Sequence, residues 1–262
     1  MSAARPLTFA PTDAANDAPP TSSDIAAASR ALDGALDQAW IAFQPIVDNR
    51  ERRTLGYEAL LRTKDTTLRD PSAILDAAER SHRVHDVGAR VRELVVVAFE
   101  SAPQSALLFI NLHPRDLADA RLFDPRSPLA RIADRVVLEL TERSSIHDIA
   151  DVEANAAALR ALGFRMAVDD LGAGYAGLSS FAVIEPEIAK LDMSLVRSIH
   201  LSSVRQRVVA SMLSLCRELG SRVVAEGVEC EEERATLASL GCEWMQGYYF
   251  AKPGPPFPAA MI

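Results

Sequence analysis

The sequence lacks the features that mark secreted and membrane-spanning proteins. It has only three cysteines among 262 residues, and Cys216, Cys230 and Cys242 show no C-x-x-C or metal-ligand spacing. An odd number of thiols argues against a disulfide framework and favours a reducing compartment. Neither a run of eighteen apolar residues nor a secretory signal core is present, which predicts a cytoplasmic protein that does not enter a membrane.

Excess positive charge is also missing. The formal net charge is -8, and no basic run interrupts the acidic balance. A protein that binds a nucleic-acid polymer is not expected to have this charge. An anionic substrate would therefore need metal ions or individual arginine and lysine residues to offset the repulsion.

Apolar bulk is scarce at the start of the chain. Proline, alanine, threonine, serine and aspartate dominate residues 1–23, a composition that predicts a flexible N-terminal tail. Ser23 is the candidate cap of the first helix. Residues 24–262 are predicted to form one domain, because the composition is that of a globular protein, with 48% hydrophobic and 24% charged residues.

Eight short, apolar, β-branched runs recur along the chain, and helical patterns separate most of them. The runs are WIAFQPIVD, TLGYEALLR, ALLFINLHP, RVVLELTE, RMAVDDLG, IAKLDMSLV, RVVAEGVE and WMQGYYFAKP. Over this length the alternation predicts an α/β fold of the (β/α)8 barrel type. Only NRERR joins the first two runs, which is too short for a crossover helix, so they are predicted to run antiparallel.

One helical segment, residues 203–219, has a clear apolar stripe. Ser203 is its candidate cap, and Gly220 is placed to end it in a left-handed conformation. Helical spacing predicts that the following residues form the buried stripe: Val204, Val208, Met212, Leu215 and Leu219.

The stretch VDDLGAGYAGLS contains G-x-G-x-x-G after a strand-like run, as in a dinucleotide-binding turn. Asp192 follows at about the distance expected for a ribose contact. However, the adjacent carboxylates of Asp169 and Asp170 would repel a pyrophosphate unless a metal ion lay between them. A dinucleotide site would also leave the polar residues of the other strands without a role, so a metal site is the preferred interpretation.

Polar residues stand in the C-terminal half of nearly every predicted strand. They are Glu58, Asn111, Glu139, Asp169, Asp170, Lys190, Asp192, Glu226, Glu229 and Gln246. In a barrel these positions converge on one face, and converging carboxylates need cations to stay ionised. Carboxylate and amide oxygens without histidine or cysteine favour Mg²⁺ or Mn²⁺ over Zn²⁺. Asp169 and Asp170 could serve two ions about 3.5–4 Å apart, the spacing used for displacement at phosphorus.

Seven ordered motifs between about residue 30 and Pro253 resemble the EAL-domain cyclic di-GMP phosphodiesterases. The motifs are YEALLR, FINLHP, LELTE, VDDLGAGYAGLS, KLDMSLV, VVAEGVE and QGYYFAKP. The resemblance implies hydrolysis of cyclic di-GMP to linear pGpG with two Mg²⁺ or Mn²⁺ ions. It also implies a modified TIM (β/α)8 barrel with an antiparallel first strand, and a homodimer.

The resemblance further implies a set of metal ligands. The first ion would be bound by Glu58, Asn111, Glu139 and Asp169. Asp169 would bridge to a second ion, which Asp170 also binds, with Glu226 nearby, directly or through water.

The remaining roles are implied in the same way. Lys190 resembles the lysine that contacts the nucleophilic water, and Glu226 is grouped with it as catalytic. Arg62 would hold a phosphate, and Glu142 would anchor the glycine-rich loop. Further substrate and supporting contacts would come from Gln44, Asp192, Glu229, Gln246 and Pro253.

The alternative function is a catalytically silent EAL domain that regulates by binding cyclic di-GMP or a partner protein. Such members usually lack several ligands or the lysine, whereas this sequence keeps them all. It departs from the commoner family pattern at DDLGAGYAG and at Thr63, where a tryptophan often stands. No GGDEF, PAS or response-regulator segment is seen before the barrel, so regulation is expected from expression, the oligomer or an unidentified protein partner.

Overall fold

The computed structural model describes residues 21–140, 151–172 and 177–262, with the side chains of residues 177–179 left out of the description. Eight strands form a closed barrel in chain order. They are β1 (Ala39–Asp48), β2 (Arg53–Thr63), β3 (Leu107–Leu112), β4 (Val136–Leu140), β5 (Arg165–Leu171), β6 (Ile188–Leu191), β7 (Arg222–Ala225) and β8 (Trp244–Gln246). The predicted α/β barrel of the TIM type is confirmed.

The first strand has the orientation that the short first link predicts. β1 pairs antiparallel with both β2 and β8, whereas the other neighbouring strands pair in parallel. The Asp48 carboxylate accepts hydrogen bonds from the backbone N–H groups of Arg50 and Glu51, at 3.1 and 2.9 Å. These bonds close the tight turn between the two strands.

Helices surround the barrel and connect its parallel strands. They are α1 (Ser22–Asp37), α2 (Pro71–Arg80), α3 (Val84–Phe99), α4 (Val152–Ala161), α5 (Gly177–Ile184), α6 (Met193–Val196), α7 (Ser203–Glu218) and α8 (Glu231–Ser239). Short 3₁₀ helices span Pro114–Ala118, Ala120–Phe123, Ala130–Arg135 and Ile199–Leu201. Within the described ranges, none of the helices has the length and apolarity needed to cross a membrane.

The predicted cap of α1 is wrong by two residues. Thr21 caps the helix: its hydroxyl accepts from the Asp24 backbone N–H at 3.2 Å, and the Asp24 carboxylate accepts from the Thr21 N–H at 3.0 Å. Ser23 lies inside the helix. A helix capped at Ser23 would have Ala26 at the third helical position, where the side chain should accept a hydrogen bond from the backbone N–H of the cap, and alanine cannot do so.

The buried face of α7 also differs from the prediction. Ser202 caps the helix in place of Ser203, and the buried residues are Val209, Leu213 and Cys216. Of the predicted stripe, Met212 is half-buried and the other four residues are exposed: Val204, Val208, Leu215 and Leu219. Both sets have helical spacing, so periodicity alone could not decide which one faces the sheet.

An apolar layer fills the barrel beneath its C-terminal mouth. Five of its residues lie on consecutive parallel strands: Phe109, Val137, Ala167, Ile188 and Val224. Side chains two residues apart on a strand point to the same face. The residue two positions beyond each of these five must therefore point into the barrel at its mouth.

Candidate active site

The residues two positions beyond the apolar layer are the polar residues singled out in the sequence. They are Asn111, Glu139, Asp169, Lys190 and Glu226. Two of them lie directly side by side, since Asn111 in β3 pairs with Glu139 in β4. On the antiparallel side of the barrel, Gln44 in β1 pairs with Glu58 in β2. The structure thus brings the predicted residues together at the C-terminal mouth, where barrel enzymes place their chemistry.

Lys190 lies at the centre of this group, with its side chain 1% exposed. Its Nζ atom lies within 3.5 Å of four carboxylates: Glu226 (2.6 Å), Glu139 (2.9 Å), Asp169 (3.4 Å) and Glu58 (3.5 Å). One ammonium group cannot balance four ionised carboxylates. The site therefore has an excess of negative charge that further cations would relieve.

The pKa shifts in the site reflect this imbalance. Burial raises the pKa of Glu226 to about 8, and it raises the pKa of Glu139 well above its ordinary value, although Lys190 opposes both shifts. Burial alone would lower the pKa of Lys190, but the surrounding carboxylates raise it well above its ordinary value. The lysine is therefore held as a cation, while Glu139 and Glu226 favour their protonated forms until another cation approaches.

Glu58 is held ionised by a different set of contacts. Burial would raise its pKa, but Lys190 and two side-chain amides lower it below the ordinary value. Asn111 Nδ2 donates to Glu58 Oε1 at 2.9 Å, and Gln246 Nε2 donates to Glu58 Oε2 at 2.7 Å. Gln246 Nε2 also lies 3.2 Å from Gln44 Oε1. The carboxylate is thereby fixed in orientation at the floor of the mouth.

An irregularity in β5 places two carboxylates side by side. The β5–β6 register shifts between Val168 and Leu171, and Asp170 has a left-handed φ of 57°. Such a bulge redirects the side chains around it. Asp169, Asp170 and Glu226 each offer an oxygen that lies within 4.8 Å of the other two. These three carboxylates can therefore approach a common cation.

The donor set fits a hard divalent cation such as Mg²⁺ or Mn²⁺. Glu139 is fully buried, and within the described part of the chain neither of its carboxylate oxygens has a hydrogen-bond donor of acceptable geometry. Lys190 Nζ lies 2.9 Å from Oε1 as an ion-pair partner, but it is not aligned as a hydrogen-bond donor. A buried carboxylate with open lone pairs is suited to oxygen-loving ions.

A cleft of 430 Å³ opens above these groups, a size within the range of ligand sites. Predicted residues that line it are Gln44, Glu58, Asp169, Asp170, Asp192, Glu226, Glu229 and Gln246. A second cavity, of 300 Å³, shares Glu58, Asp169 and Asp170 with the first. Arg62 and Asn111 line this second cavity.

The other predicted residues take varied positions. Asp192 caps α6 by accepting a hydrogen bond from the Ser194 N–H at 2.9 Å. Arg62 donates from Nη1 to the Leu61 carbonyl at 2.8 Å. Pro253 lines neither cavity. Glu142 lies outside the described residues, so its role stays a prediction.

Five residues that line the cleft were missed by the sequence reasoning: Met193, Arg197, Gly227, Gly247 and Tyr248. Arg197 forms an ion pair with Glu229 at the rim, and nothing in the motif pattern indicates that pairing. Tyr248 is 55% exposed. In the sequence, an aromatic residue two positions after Gln246 could have indicated a surface for stacking.

The sequence matches the EAL domain family over residues 26–253. The cyclic di-GMP phosphodiesterase PdeF of Escherichia coli (strain K12) is 33% identical over 221 residues, which cover 81% of this chain and 29% of PdeF. The blue light- and temperature-regulated antirepressor BluF of the same strain is 29% identical over 217 residues, which cover 80% of this chain and 53% of BluF.

A solved structure has the same architecture. The manganese/cy-diGMP complex of Klebsiella pneumoniae BlrP1 at pH 9.0 matches with a TM-score of 0.72 and 35% identity, over 83% of this chain and 56% of that chain. The present chain thus spans about half the length, or less, of these relatives. From the family match over most of its length and the shared barrel, the chain belongs to the EAL domain family.

Proposed function

We propose that this chain hydrolyses cyclic di-GMP to linear pGpG and depends on Mg²⁺ or Mn²⁺. The observation that carries the proposal is the convergence of a full set of oxygen ligands around Lys190 at the barrel mouth. The names of PdeF and of the BlrP1 complex support the choice of cyclic di-GMP as the substrate.

Two ions would bind in the mouth, and the grouping of Asp169, Asp170 and Glu226 supports this part of the proposal. Glu58, Asn111, Glu139 and Asp169 would bind the first ion. Asp169 and Asp170 would bind the second, with Glu226 as a further contact. Bound ions would polarise the phosphodiester and favour hydroxide over water as the nucleophile.

Lys190 has a distinct role in this proposal. Its ammonium group is fixed by the surrounding carboxylates and is kept protonated by them. It can donate a hydrogen bond that orients the attacking water along the line of the leaving oxygen. The water oxygen loses a proton to a carboxylate of the site and bonds to phosphorus as the P–O3′ bond breaks. The 3′ oxygen takes up a proton, so the product carries a 5′-phosphate and a free 3′ hydroxyl.

The remaining cleft residues would bind the nucleotide. Arg62 would engage a phosphate, because a guanidinium can pair with two phosphate oxygens at once. The side chains that line the cleft offer hydrogen bonds to the guanine bases and riboses: Gln44, Asp192, Glu229 and Gln246. Pro253 would support the substrate from the segment after β8.

We also propose that the domain of residues 24–262 acts as a homodimer. The exposed apolar residues of α7 support this proposal, since Val204 and Leu219 are 69% and 57% exposed. Val208 and Leu215 are also exposed and share their side of the helix by spacing, and an exposed apolar face of this kind marks protein interfaces. In a two-fold dimer this face would pack against the same face of a second copy of the chain.

The proposed activity is tested by incubating the purified protein with cyclic di-GMP and either Mg²⁺ or Mn²⁺. We expect linear pGpG, and a chelator should abolish its formation. Ca²⁺ should permit binding but little turnover, because it is larger and tolerates looser geometry. Binding of cyclic di-GMP without any pGpG under either metal would overturn the proposal.

That negative result would favour a second candidate function, in which the domain is a silent receptor or a protein-binding regulator. The relative BluF, which is named an antirepressor, is the observation in its favour. In that case the domain should bind cyclic di-GMP or a protein partner, with a change in its oligomeric state or partner affinity as the output.

A further inference from the structure

A second cluster of metal-ligating side chains lies outside the carboxylate site. His200 belongs to the 3₁₀ helix Ile199–Leu201, Cys230 occupies the N-cap of α8, and Glu233 lies in the first turn of α8. One donor atom from each side chain lies within 4.8 Å of the other two. The cluster combines nitrogen, sulfur and oxygen donors, in contrast to the oxygen donors at the barrel mouth.

Glu233 is already oriented by its surroundings. Its side chain belongs to a residue that is 4% exposed, and its carboxylate accepts backbone hydrogen bonds from Ser198 (2.7 Å) and Glu229 (2.8 Å). The backbone N–H of Cys230 is a third donor to this carboxylate. Three of its roughly four acceptor sites are therefore used, and one remains for a metal ion. Supporting hydrogen bonds of this kind fix the orientation of metal-binding carboxylates.

His200 contributes an unsatisfied polar atom. Its Nδ1 atom is buried and finds no hydrogen-bond partner among the residues that the structure describes. A buried imidazole nitrogen without a partner is unfavourable, and coordination of a metal ion is one way to satisfy such a nitrogen.

We propose that His200, Cys230 and Glu233 bind one zinc ion, with water as the fourth ligand. Imidazole, thiolate and carboxylate donors are those of zinc sites, and three protein ligands with one water form a tetrahedral set. Bond lengths of roughly 2.0–2.3 Å bring such donor atoms about 3–4 Å apart. Because His200 and Cys230 are half-buried, small side-chain rotations can close the remaining distance.

The site would connect two segments that border the cleft. Ser198 and His200 follow Arg197, while Cys230 follows Glu229, and Arg197 and Glu229 form the ion pair at the rim. A zinc ion would tie these segments together and should stabilise the folded protein. Zinc binding would release the Cys230 thiol proton to solvent, because only the thiolate is a good ligand.

Cobalt(II) provides a direct probe of thiolate ligation. The metal-free full chain, supplied with excess Mg²⁺ to fill the oxygen-ligand site, is titrated with Co²⁺ and then with Zn²⁺. We expect a thiolate-to-cobalt charge-transfer band that Zn²⁺ removes at one equivalent. Cys216 and Cys242 are buried and stand apart from the cluster, so the band should vanish in Cys230→Ser.

Zinc affinity is measured in parallel by competition with a chromophoric chelator. Cys230→Ser and His200→Gln should each bind zinc about tenfold more weakly or worse, in line with the effect of losing contacts at metal sites. Serine is a favoured N-cap, so Cys230→Ser should keep α8 intact. His82→Asn is the matched control, because His82 is exposed and its φ of 56° suits asparagine.

The outcomes separate cleanly. A charge-transfer band lost in Cys230→Ser, with zinc affinity reduced in both ligand variants and unchanged in His82→Asn, would support the site. Absence of the band in the wild type would overturn it. A band that persists in Cys230→Ser would also overturn it. The site would be overturned as well if zinc affinity and zinc-induced thermal stabilisation were equal in the wild type and the correctly folded His200→Gln variant. None of these readouts depends on hydrolysis of cyclic di-GMP.

Discussion

Replacement of Lys190 by methionine tests the balance of charge at the barrel mouth. Methionine matches the length of the lysine side chain but removes the ammonium group that lies among four carboxylates. Removing one partner of a buried ion pair typically costs about 3–5 kcal/mol. Glu139 and Glu226 can take up protons, because burial raises the pKa of both. We therefore expect the lower end of that range, about 3 kcal/mol, for the metal-free protein.

This loss corresponds to a Tm about 6–12 °C lower for a domain of this size. Added Mg²⁺ or Mn²⁺ should restore most of the lost stability, since the ions replace the missing positive charge. Turnover should nevertheless remain about 10²–10⁴-fold below that of the wild type, because the group that orients the water is absent. Metal and substrate binding should survive, as the ligands themselves are unchanged.

The assays are thermal denaturation with and without metal, and pGpG formation at saturating Mg²⁺. Lys64→Met is the matched control, because Lys64 is exposed and lies outside the site. The reasoning would be refuted if Lys190→Met melted at the wild-type temperature without metal. If the variant were destabilised but fully active, the result would support the structural role of Lys190 and refute its role in turnover.

Further predictions concern the carboxylates of the site, Glu142 and α7. Glu58→Ala should weaken Mg²⁺ binding by about tenfold or more, and an unchanged calorimetric titration would refute its assignment as a ligand. Glu142→Ala should keep its secondary structure and cooperative melting, need more Mg²⁺ for half-maximal activity and alter dimerisation. A Mg²⁺ activation curve that overlays the wild type would instead identify Glu142 as a solvated surface charge. Mg²⁺ affinity should rise with pH by up to about tenfold per unit for each proton released, because Glu139 and Glu226 must both lose a proton. The contribution of Glu226 should level off above its pKa of about 8. The sign reverses for stability. Because the pKa of Glu226 is raised from 4.5 to about 8 on folding, the metal-free protein should lose stability as pH rises between these two values and level off above them, as chemical denaturation would show. Val204→Glu should shift the protein toward monomers in light scattering without changing its fold, and a dimer that persists would exclude the α7 face as the interface.

Much of the barrel could be predicted from local patterns. The alternation of apolar runs with helical segments predicted eight strands, and the structure has them. Because NRERR is too short for a parallel crossover, the first two strands were predicted to be antiparallel, and the structure confirms this. Period-2 spacing in strands also explains the site. Once Val137 and Val224 face the barrel interior, Glu139 and Glu226 must face it as well.

Other features required the fold. The apolar spacing of α7 suits two faces, and only the position of the sheet decides that Val209 and Leu213 are buried while Val204 and Leu219 are exposed. The Arg197–Glu229 pair joins residues 32 positions apart, so no local pattern announces it. The cluster of His200, Cys230 and Glu233 likewise forms because the 3₁₀ helix Ile199–Leu201 lies beside the start of α8.

Strand periodicity and motif order depend on neighbouring residues, so they were enough to indicate the candidate site residues. How the charges of these side chains balance one another depends on the closed barrel. Lys190 is an ordinary strand residue in the sequence, but closure of the barrel places its Nζ within 3.5 Å of carboxylates from four other strands or strand ends. The physical reason is that burial and charge act through space, so the pKa values of Glu139, Lys190 and Glu226 are properties of the closed barrel.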